Sequence, residues 1–213
     1  MILFRGAALL LVLFLALAGV VRAETLTHAR VGFSAERILS LNGRRYAGRM
    51  WYMPGAERQE QAIRGLNPIF ILSENRRIAD ILLPQLHTVA ELPIPDALSL
   101  LRDPGLLAHP IARARIDGFQ ARVYAIHAAS SLGRARGRLW LSAQGIPLKA
   151  EGRYESPKGR ITKIRWRLHE VKIGPQAPSL FAVPKGFSRL SPQALAPLLN
   201  LKPLRAPLPR AAH

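Results

Sequence analysis

Few residues in this sequence have the types and spacing that catalysis requires. Its 6 histidines are dispersed without ligand spacing, and it contains no cysteine, which excludes a thiolate nucleophile, a disulfide and a cysteine-based metal site. It also lacks a Gly-x-Ser-x-Gly elbow, a glycine-rich phosphate loop and a His-Glu-x-x-His motif. The sequence therefore predicts a protein that is not an enzyme and that uses neither a cofactor nor a metal.

Three acidic residues remain as candidates for chemistry. Glu57 and Glu60 are three apart on a predicted polar strand, so they point to opposite faces and do not form an acid–base pair. Asp80 lies within the apolar run 78–83, where it can pair with an arginine, lie at the rim of a sheet or serve a site. An enzymatic role would place Asp80 beside a histidine in an open cleft.

The first 23 residues have the features of a secretory signal peptide. Arg5 precedes the apolar run 7–18, and Val21-Arg22-Ala23 presents small residues at the positions that signal peptidase recognises. The run is shorter than the roughly 20 residues of a membrane-spanning helix. Residues 1–23 are therefore predicted to be a cleavable signal peptide rather than a membrane anchor.

The sequence is strongly basic, with 31 Lys and Arg against 13 Asp and Glu and a formal net charge of +18. Such an excess indicates an acidic partner, which could be nucleic acid, an anionic membrane surface or an acidic protein. Export argues against nucleic acid. The remaining predicted partners are an anionic membrane surface and an acidic protein.

The most informative stretch for the fold runs over residues 33–52. Asn42-Gly43 lies between two alternating segments, which is the pattern of a two-residue β-hairpin. This turn predicts that Phe33 faces Tyr52 across the ladder and that Glu36 forms a cross-strand charge pair with Arg49.

Further turns are predicted at Asp117-Gly118, Gln144-Gly145 and Pro157-Lys158-Gly159. The second of these places Arg138 opposite Glu151. Short strands at this spacing, with no long helical segment between them, predict a strongly curved antiparallel sheet or barrel. Short helices are predicted at 97–101, 177–181 and 193–200, and residues 201–213 are predicted to be a proline-rich tail.

The predicted hairpins segregate apolar side chains from basic ones. The apolar side is expected to line a hydrophobic cavity, and the alternative is that the same residues form an ordinary core. The predicted cavity residues are Phe33, Leu39, Tyr46, Met50, Tyr52, Leu139, Leu141, Leu148, Trp166 and Leu168. The predicted surface for an anionic membrane or acidic partner comprises Arg113, Arg115, Arg122, Arg136, Arg138, Lys149, Arg153, Lys163, Arg165 and Arg167.

Several stretches of the sequence resemble periplasmic LolA/LolB-like proteins. These are Phe33-Ser-Ala-Glu-Arg37, Gly48-Arg-Met-Trp-Tyr52, Trp140-Leu-Ser-Ala-Gln-Gly-Ile-Pro147 and Phe181-Ala-Val-Pro-Lys-Gly-Phe187. The resemblance implies that residues 24–200 form an incomplete, strongly curved antiparallel β-barrel. Short helices would act as a lid over an apolar cavity.

The same resemblance implies a function and a location. It points to a periplasmic, monomeric carrier without a cofactor, whose cavity receives the acyl chains of lipoproteins or another lipid. Such a carrier would meet an anionic membrane surface or a membrane transporter. The alternative is an envelope sensor or an accessory subunit that binds an acidic protein.

Overall fold

The computed structural model describes residues 29–62, 65–93, 107–130 and 133–198. The predicted signal peptide 1–23, the helix predicted at 97–101 and the predicted tail 201–213 lie outside these ranges. Within them, the chain is built almost entirely from β-strands, as the alternating segments of the sequence predict.

The strands are numbered in chain order. The first six are β1 (Phe33–Leu41), β2 (Arg44–Met53), β3 (Ala56–Gln61), β4 (Ile69–Ser73), β5 (Ile78–Leu83) and β6 (Thr88–Pro93). The next six are β7 (Leu107–Ile116), β8 (Phe119–Ser130), β9 (Gly133–Ser142), β10 (Pro147–Glu155), β11 (Ile161–Ile173) and β12 (Ser188–Arg189). Two 3₁₀ turns, Pro84–Leu86 and Pro178–Phe181, and the helix α1 (Pro192–Leu198) complete the described elements.

All the strands belong to one sheet of 12 strands in the order β12-β6-β5-β4-β3-β2-β1-β11-β10-β9-β8-β7. Every neighbouring pair is antiparallel except β12 and β6, which are parallel. The sheet is open, with β7 and β12 as its two edges. The predicted fold class, a mainly β protein with a single antiparallel sheet forming an incomplete barrel, is confirmed.

The hairpin around Asn42-Gly43 has the predicted register. Phe33 pairs with Tyr52 and Glu36 with Arg49, and Arg49 Nε donates a hydrogen bond of 2.9 Å to Glu36 Oε1. Both turn residues have positive φ, at 50° and 87°, as a type I′ turn requires. This short turn matches the twist of its strands, so it fixes the pairing on both sides.

The turn between β9 and β10 is longer than predicted. Leu141 pairs with Pro147 instead of Leu148, because Ser142 Oγ accepts hydrogen bonds of 3.2 and 3.1 Å from two backbone N–H groups of the loop. A register shift in β10 then restores the predicted pairing farther along the two strands. The prediction was wrong at the turn and confirmed beyond it.

The register between β8 and β9 differs from the one that the predicted basic surface requires. Arg122 pairs with Leu141, whereas Ala125 pairs with Arg138, and directly paired residues share a face of the sheet. The predicted basic surface is therefore wrong as a single face, because three of its members lie on the opposite side. These three are Arg113, Arg115 and Arg122.

The largest buried cluster lies where β1, β2, β10 and β11 are farthest from the Asn42-Gly43 turn. It includes Phe33, Tyr52 and Leu168, and the rings of Phe33 and Tyr52 stack at a centroid distance of 5.3 Å. We call this the core end of the sheet. The opposite end, which contains the Asn42-Gly43 turn and the loop 156–160, is called the rim end.

The last described segment wraps both faces of the strands near β6. Phe181 and Phe187 pack on a cluster of Ile71, Leu82 and Val89. On the other face, Leu195 of α1 packs against a second cluster, Ile81, Leu83, Ala90 and Leu92.

The two C-terminal helical predictions are confirmed in position. The 3₁₀ turn Pro178–Phe181 falls within 177–181, and α1 begins at Pro192, one residue before the predicted start. Ser191 Oγ accepts a hydrogen bond of 3.2 Å from the backbone N–H of Ala194. This contact satisfies one of the donors that the first turn of a helix leaves unpaired.

Candidate ligand-binding face

One row of apolar residues crosses six neighbouring strands of the sheet. Successive cross-strand pairs connect its members, which are Tyr46, Leu39, Trp166, Ala150, Leu139 and Tyr124. The first five are only half-buried, and Tyr124 is buried. Apolar side chains in the middle of a wide sheet are thus left partly uncovered.

A second row runs beside the first, nearer the rim end. It consists of Leu41, Ile164, Gly152, Gly137 and Ile126. All but Ile126 are half-buried. Together the two rows, called the apolar rows below, form a continuous surface with two glycines in its centre.

Those two glycines bring β9 and β10 unusually close. A Cβ on Gly152 would lie 2.6 Å from the carbonyl oxygen of Arg136, and a Cβ on Gly137 would overlap with the carbonyl oxygen of Glu151. Glycines at such positions permit tight bending of a sheet and leave space above the backbone. The neighbouring apolar side chains of β9 and β10 therefore lie on a part of the sheet where the two backbones approach closely.

The predicted cavity residues fall into two groups. Those at the half-buried apolar row are Leu39, Tyr46, Leu139 and Trp166. The others are fully buried, namely Phe33, Met50, Tyr52, Leu141, Leu148 and Leu168. The first group is therefore partly accessible to solvent, whereas the second group is not.

A polar cluster that the sequence did not indicate as a site lies beside the apolar rows. Arg37 is 8% exposed, and its guanidinium donates hydrogen bonds to Gln59 and, at 2.8 Å, to Gln61. Burial lowers the pKa of Arg37, and the nearby charge of Glu57 partly opposes that shift. Gln59 in turn donates to Glu57.

The sequence did contain a signal for this cluster. Arg37 interrupts the apolar alternation of β1, and three polar residues alternate on β3. The pairing of β2 with β3 brings the two sets together across Gly48, the cross-strand partner of Arg37. A glycine there leaves room for the long side chain to cross β2.

The other face of β9–β11 carries most of the predicted basic residues, and part of their charge is compensated. Glu151 lies 2.7 Å from Lys149 Nζ and 3.4 Å from a guanidinium nitrogen of Arg138. The hydrogen bond from Lys149 is the main reason why the pKa of Glu151 is lowered. Both cations also lie over the ring of Trp140, at 4.5 and 5.5 Å from its centroid.

The acidic candidates for chemistry have structural partners. Asp80 is buried and accepts a hydrogen bond of 3.0 Å from Arg76, the arginine pairing that the sequence allowed. Glu57 pairs with Tyr52, whereas Glu60 pairs with Arg49 on the opposite face, as predicted. In the described part of the chain, no group of three or more His, Cys, Asp and Glu could hold a metal ion.

An open depression of about 310 Å³ lies elsewhere, over the irregular pairing of β1 with β11. Its lining is mainly polar and charged, with Glu36, Arg49, Glu170 and Lys172 beside Trp51. Of the predicted cavity residues it contains Met50 alone. It is therefore distinct from the apolar rows.

No protein-family model matches this chain, and no curated protein matches its sequence. Among solved structures, the Pseudomonas aeruginosa MucA/MucB complex is similar over 72% of this chain and 56% of the matched chain, with 20% identity and a TM-score of 0.44. This chain therefore spans a little over half the length of that relative. At such identity, a similar fold does not carry a function from one chain to another.

Two further solved structures match most of their own length. An uncharacterized conserved protein from Thermus thermophilus has 14% identity and a TM-score of 0.49, over 76% of this chain and 91% of its own. A LolA superfamily protein from Nitrosomonas europaea has 10% identity and a TM-score of 0.41, over 74% and 92%. The similar structures thus include the family that the sequence resembles.

Across the described residues, no helix is both long and apolar enough to cross a membrane.

Proposed function

We propose that this chain is a non-enzymatic periplasmic carrier that binds an acyl chain, from a lipoprotein or another lipid, along the apolar rows. The observation that supports this function is the half-burial of Leu39, Trp166 and Leu139 in one continuous row. Soluble proteins rarely leave contiguous apolar patches uncovered unless those patches bind something.

The dimensions of the row suit a long, thin ligand. Six strands at a spacing of about 4.8 Å give a row of about 24 Å, comparable with an extended acyl chain. Burying about ten methylenes at about 0.8 kcal/mol each would contribute up to roughly 8 kcal/mol, before the cost of ordering the chain. The apolar contacts would therefore supply the main favourable contribution to binding.

The periplasmic location rests on the predicted signal peptide and on the LolA/LolB-like stretches of the sequence. The carrier would act as a monomer and exchange its lipid at an anionic membrane or with a membrane transporter.

The direct test is native mass spectrometry of the mature protein purified from its own periplasm without detergent, followed by lipid extraction. The expected result is a co-purifying acyl species. Its absence from a folded protein would refute the carrier function.

Two adjacent residues provide a matched pair of variants for the same experiment. Leu39→Arg places a charge in the apolar row and is expected to remove the bound lipid. Ile38 is also half-buried but pairs with Arg167 on the opposite face, so Ile38→Arg should retain it. Equal retention by both variants would exclude the apolar rows as the binding site.

A sensor or accessory role, in which the basic face captures an acidic protein, has less support. Glu151 and Asp117 already pair with Lys149, Arg138 and Arg167 on that face. The part of this face nearer the core end is therefore less available to an acidic partner. Charge reversal at Arg136, Arg138 and Arg165 would abolish partner capture while leaving bound lipid in place if this second role were correct.

A further inference from the structure

The rim end of the sheet collects cations that come from separate parts of the sequence. Hairpin geometry brings the strand ends of β1, β2, β9, β10 and β11 to the same end of the sheet. The exposed cations there, called the cationic rim, are Arg44, Arg45, Arg134, Arg136, Arg153, Lys158, Arg160 and Lys163.

Most of these charges are uncompensated within the described structure. Arg134 lies directly opposite Glu155, but no other strand residue of the cationic rim has a carboxylate as its cross-strand partner. No residue of the cationic rim forms an ion pair with a carboxylate of the described chain, in contrast to Arg138, Lys149 and Arg167 nearer the core end. Arg136, Arg153 and Lys163 are even direct cross-strand neighbours. Like charges placed directly opposite each other are unfavourable in a sheet, so folding alone does not explain this row.

An apolar side chain protrudes among these cations. Ile161 follows Lys158 and Arg160 at the start of β11 and is 52% exposed. A cluster of exposed cations around an apolar anchor matches a bilayer surface, where phosphates meet the cations and the apolar group enters the headgroup boundary.

We propose that the cationic rim docks the protein end-on to an anionic phospholipid surface, with Ile161 as its apolar anchor. The half-buried row that contains Leu41 and Ile164 lies at the same end, so docking would turn the apolar rows toward the bilayer. This proposal rests on the proposed function in that it identifies the surface by which the carrier would meet an anionic membrane. It can be tested separately, because surface binding requires no bound acyl chain.

Basic residues that lie away from the cationic rim supply a matched control. Arg113 and Arg115 lie near the Asp117-Gly118 turn, on the other face and at the other end of the sheet, and Lys172 lies at the core end of β11. All three are exposed. Replacing them with glutamine removes the same charge as replacing Arg44, Lys158 and Arg160, which lie on exposed turns or strand ends of the rim.

The experiment measures co-sedimentation of the mature protein with vesicles of phosphatidylglycerol mixed with phosphatidylcholine, and with pure phosphatidylcholine. Wild type should bind the anionic vesicles and lose binding as salt rises, because screening shortens the reach of each charge to a few ångströms. Each rim cation should contribute about fivefold, so the rim triple variant should bind on the order of a hundredfold more weakly. The control triple should change binding by less than about twofold, and Ile161→Ser should weaken it at every salt concentration.

All six substituted side chains are exposed, so both triple variants are expected to fold. Urea unfolding checks this. Failure of wild type to bind anionic vesicles would overturn the proposal, as would equal losses in the two triples, which would reflect net charge alone. Binding of polyglutamate in place of vesicles would assign the rim to an acidic protein instead. Lipid retention by the rim triple, measured by native mass spectrometry, separates failure of docking from failure of the carrier function.

Discussion

The two ends of one sheet have different construction although the same strands run through both. At the core end, Phe33, Tyr52 and Leu168 are fully buried in the largest cluster. At the rim end, Leu39 and Trp166 of the same strands and the same face are half-buried. Both ends alternate apolar with polar residues, but the row nearest the rim contains Gly137 and Gly152 and ends at Arg44, so the two ends differ in side-chain size as well as in burial.

This difference separates stability from binding within a single face. Burial of side chains at the core end supplies the free energy of folding. The rim end can therefore leave apolar area uncovered for a ligand and expose mutually repelling cations. Three mutational tests measure how complete this separation is.

The largest effect is expected from Phe33→Ala at the core end. Phe33 is 0% exposed and stacks on Tyr52, so its removal leaves a cavity and should lower the free energy of unfolding by about 3–5 kcal/mol. Tyr46→Ala, on the same face at the rim end, should cost about 1 kcal/mol. Urea unfolding measures both, and equal losses would mean that the two ends are equally packed.

A smaller effect is expected where the sheet bends at the rim end. In Gly137→Ala the new Cβ would overlap with the carbonyl oxygen of Glu151, which forces the backbones apart and should cost about 1–3 kcal/mol. Gly174→Ala is the control, because a Cβ added there would meet no atom within 4 Å and its change should stay within about 0.5 kcal/mol. If Gly137→Ala leaves the free energy of unfolding unchanged, the curvature of the sheet does not depend on the close approach of β9 and β10.

The smallest effect on stability is expected from the loss of the Glu151 carboxylate, which compensates cations on the basic face. The pKa of Glu151 is lowered mainly by its hydrogen bond from Lys149, so its contribution to stability exists above the usual glutamate pKa and disappears as pH falls through the lowered value. Glu151→Gln should therefore reduce stability by less than about 1 kcal/mol near pH 7.

The same comparison at an acidic pH below the lowered pKa of Glu151 should find wild type and Glu151→Gln nearly equal, since the carboxylate is then protonated. Glu155→Gln on the same strand is the control, because Glu155 forms no ion pair with another described residue. Urea unfolding at the two pH values is the measurement. A Glu151→Gln effect that persists unchanged at low pH would contradict the ionic origin.

Local turn chemistry explains which parts of this fold could be predicted from the sequence. Asn42-Gly43 and Asp117-Gly118 fix the pairing on both sides of the turn, so the registers of β1 with β2 and, next to its turn, of β7 with β8 were predicted residue by residue. The sequence between β8 and β9 contains neither an Asn-Gly nor an Asp-Gly pair. The relative phase of Arg122 and Arg138 could not be counted along the chain, and the predicted basic surface was wrong there.

The candidate site was predictable only in part for the same reason. Alternation identified Leu39, Tyr46 and Trp166 as apolar-face residues, but it carries no information on how far each is covered. The contact of Arg37 with Gln59 and Gln61 crosses an intervening strand at Gly48. Contacts of that kind depend on sheet curvature, which local alternation does not specify.

The pairing of β1 with β11 also has a consequence for how the chain reaches its native state. β2–β6 and β7–β11 are meanders whose strands pair with sequence neighbours, whereas β1 and β11 come from opposite ends of the described chain. Long-range pairing is slow because a large loop must close before any contact is gained. A chain emerging in order would hold the free edge of β1 exposed until β11 had followed, so this junction is where a chaperone would be needed most.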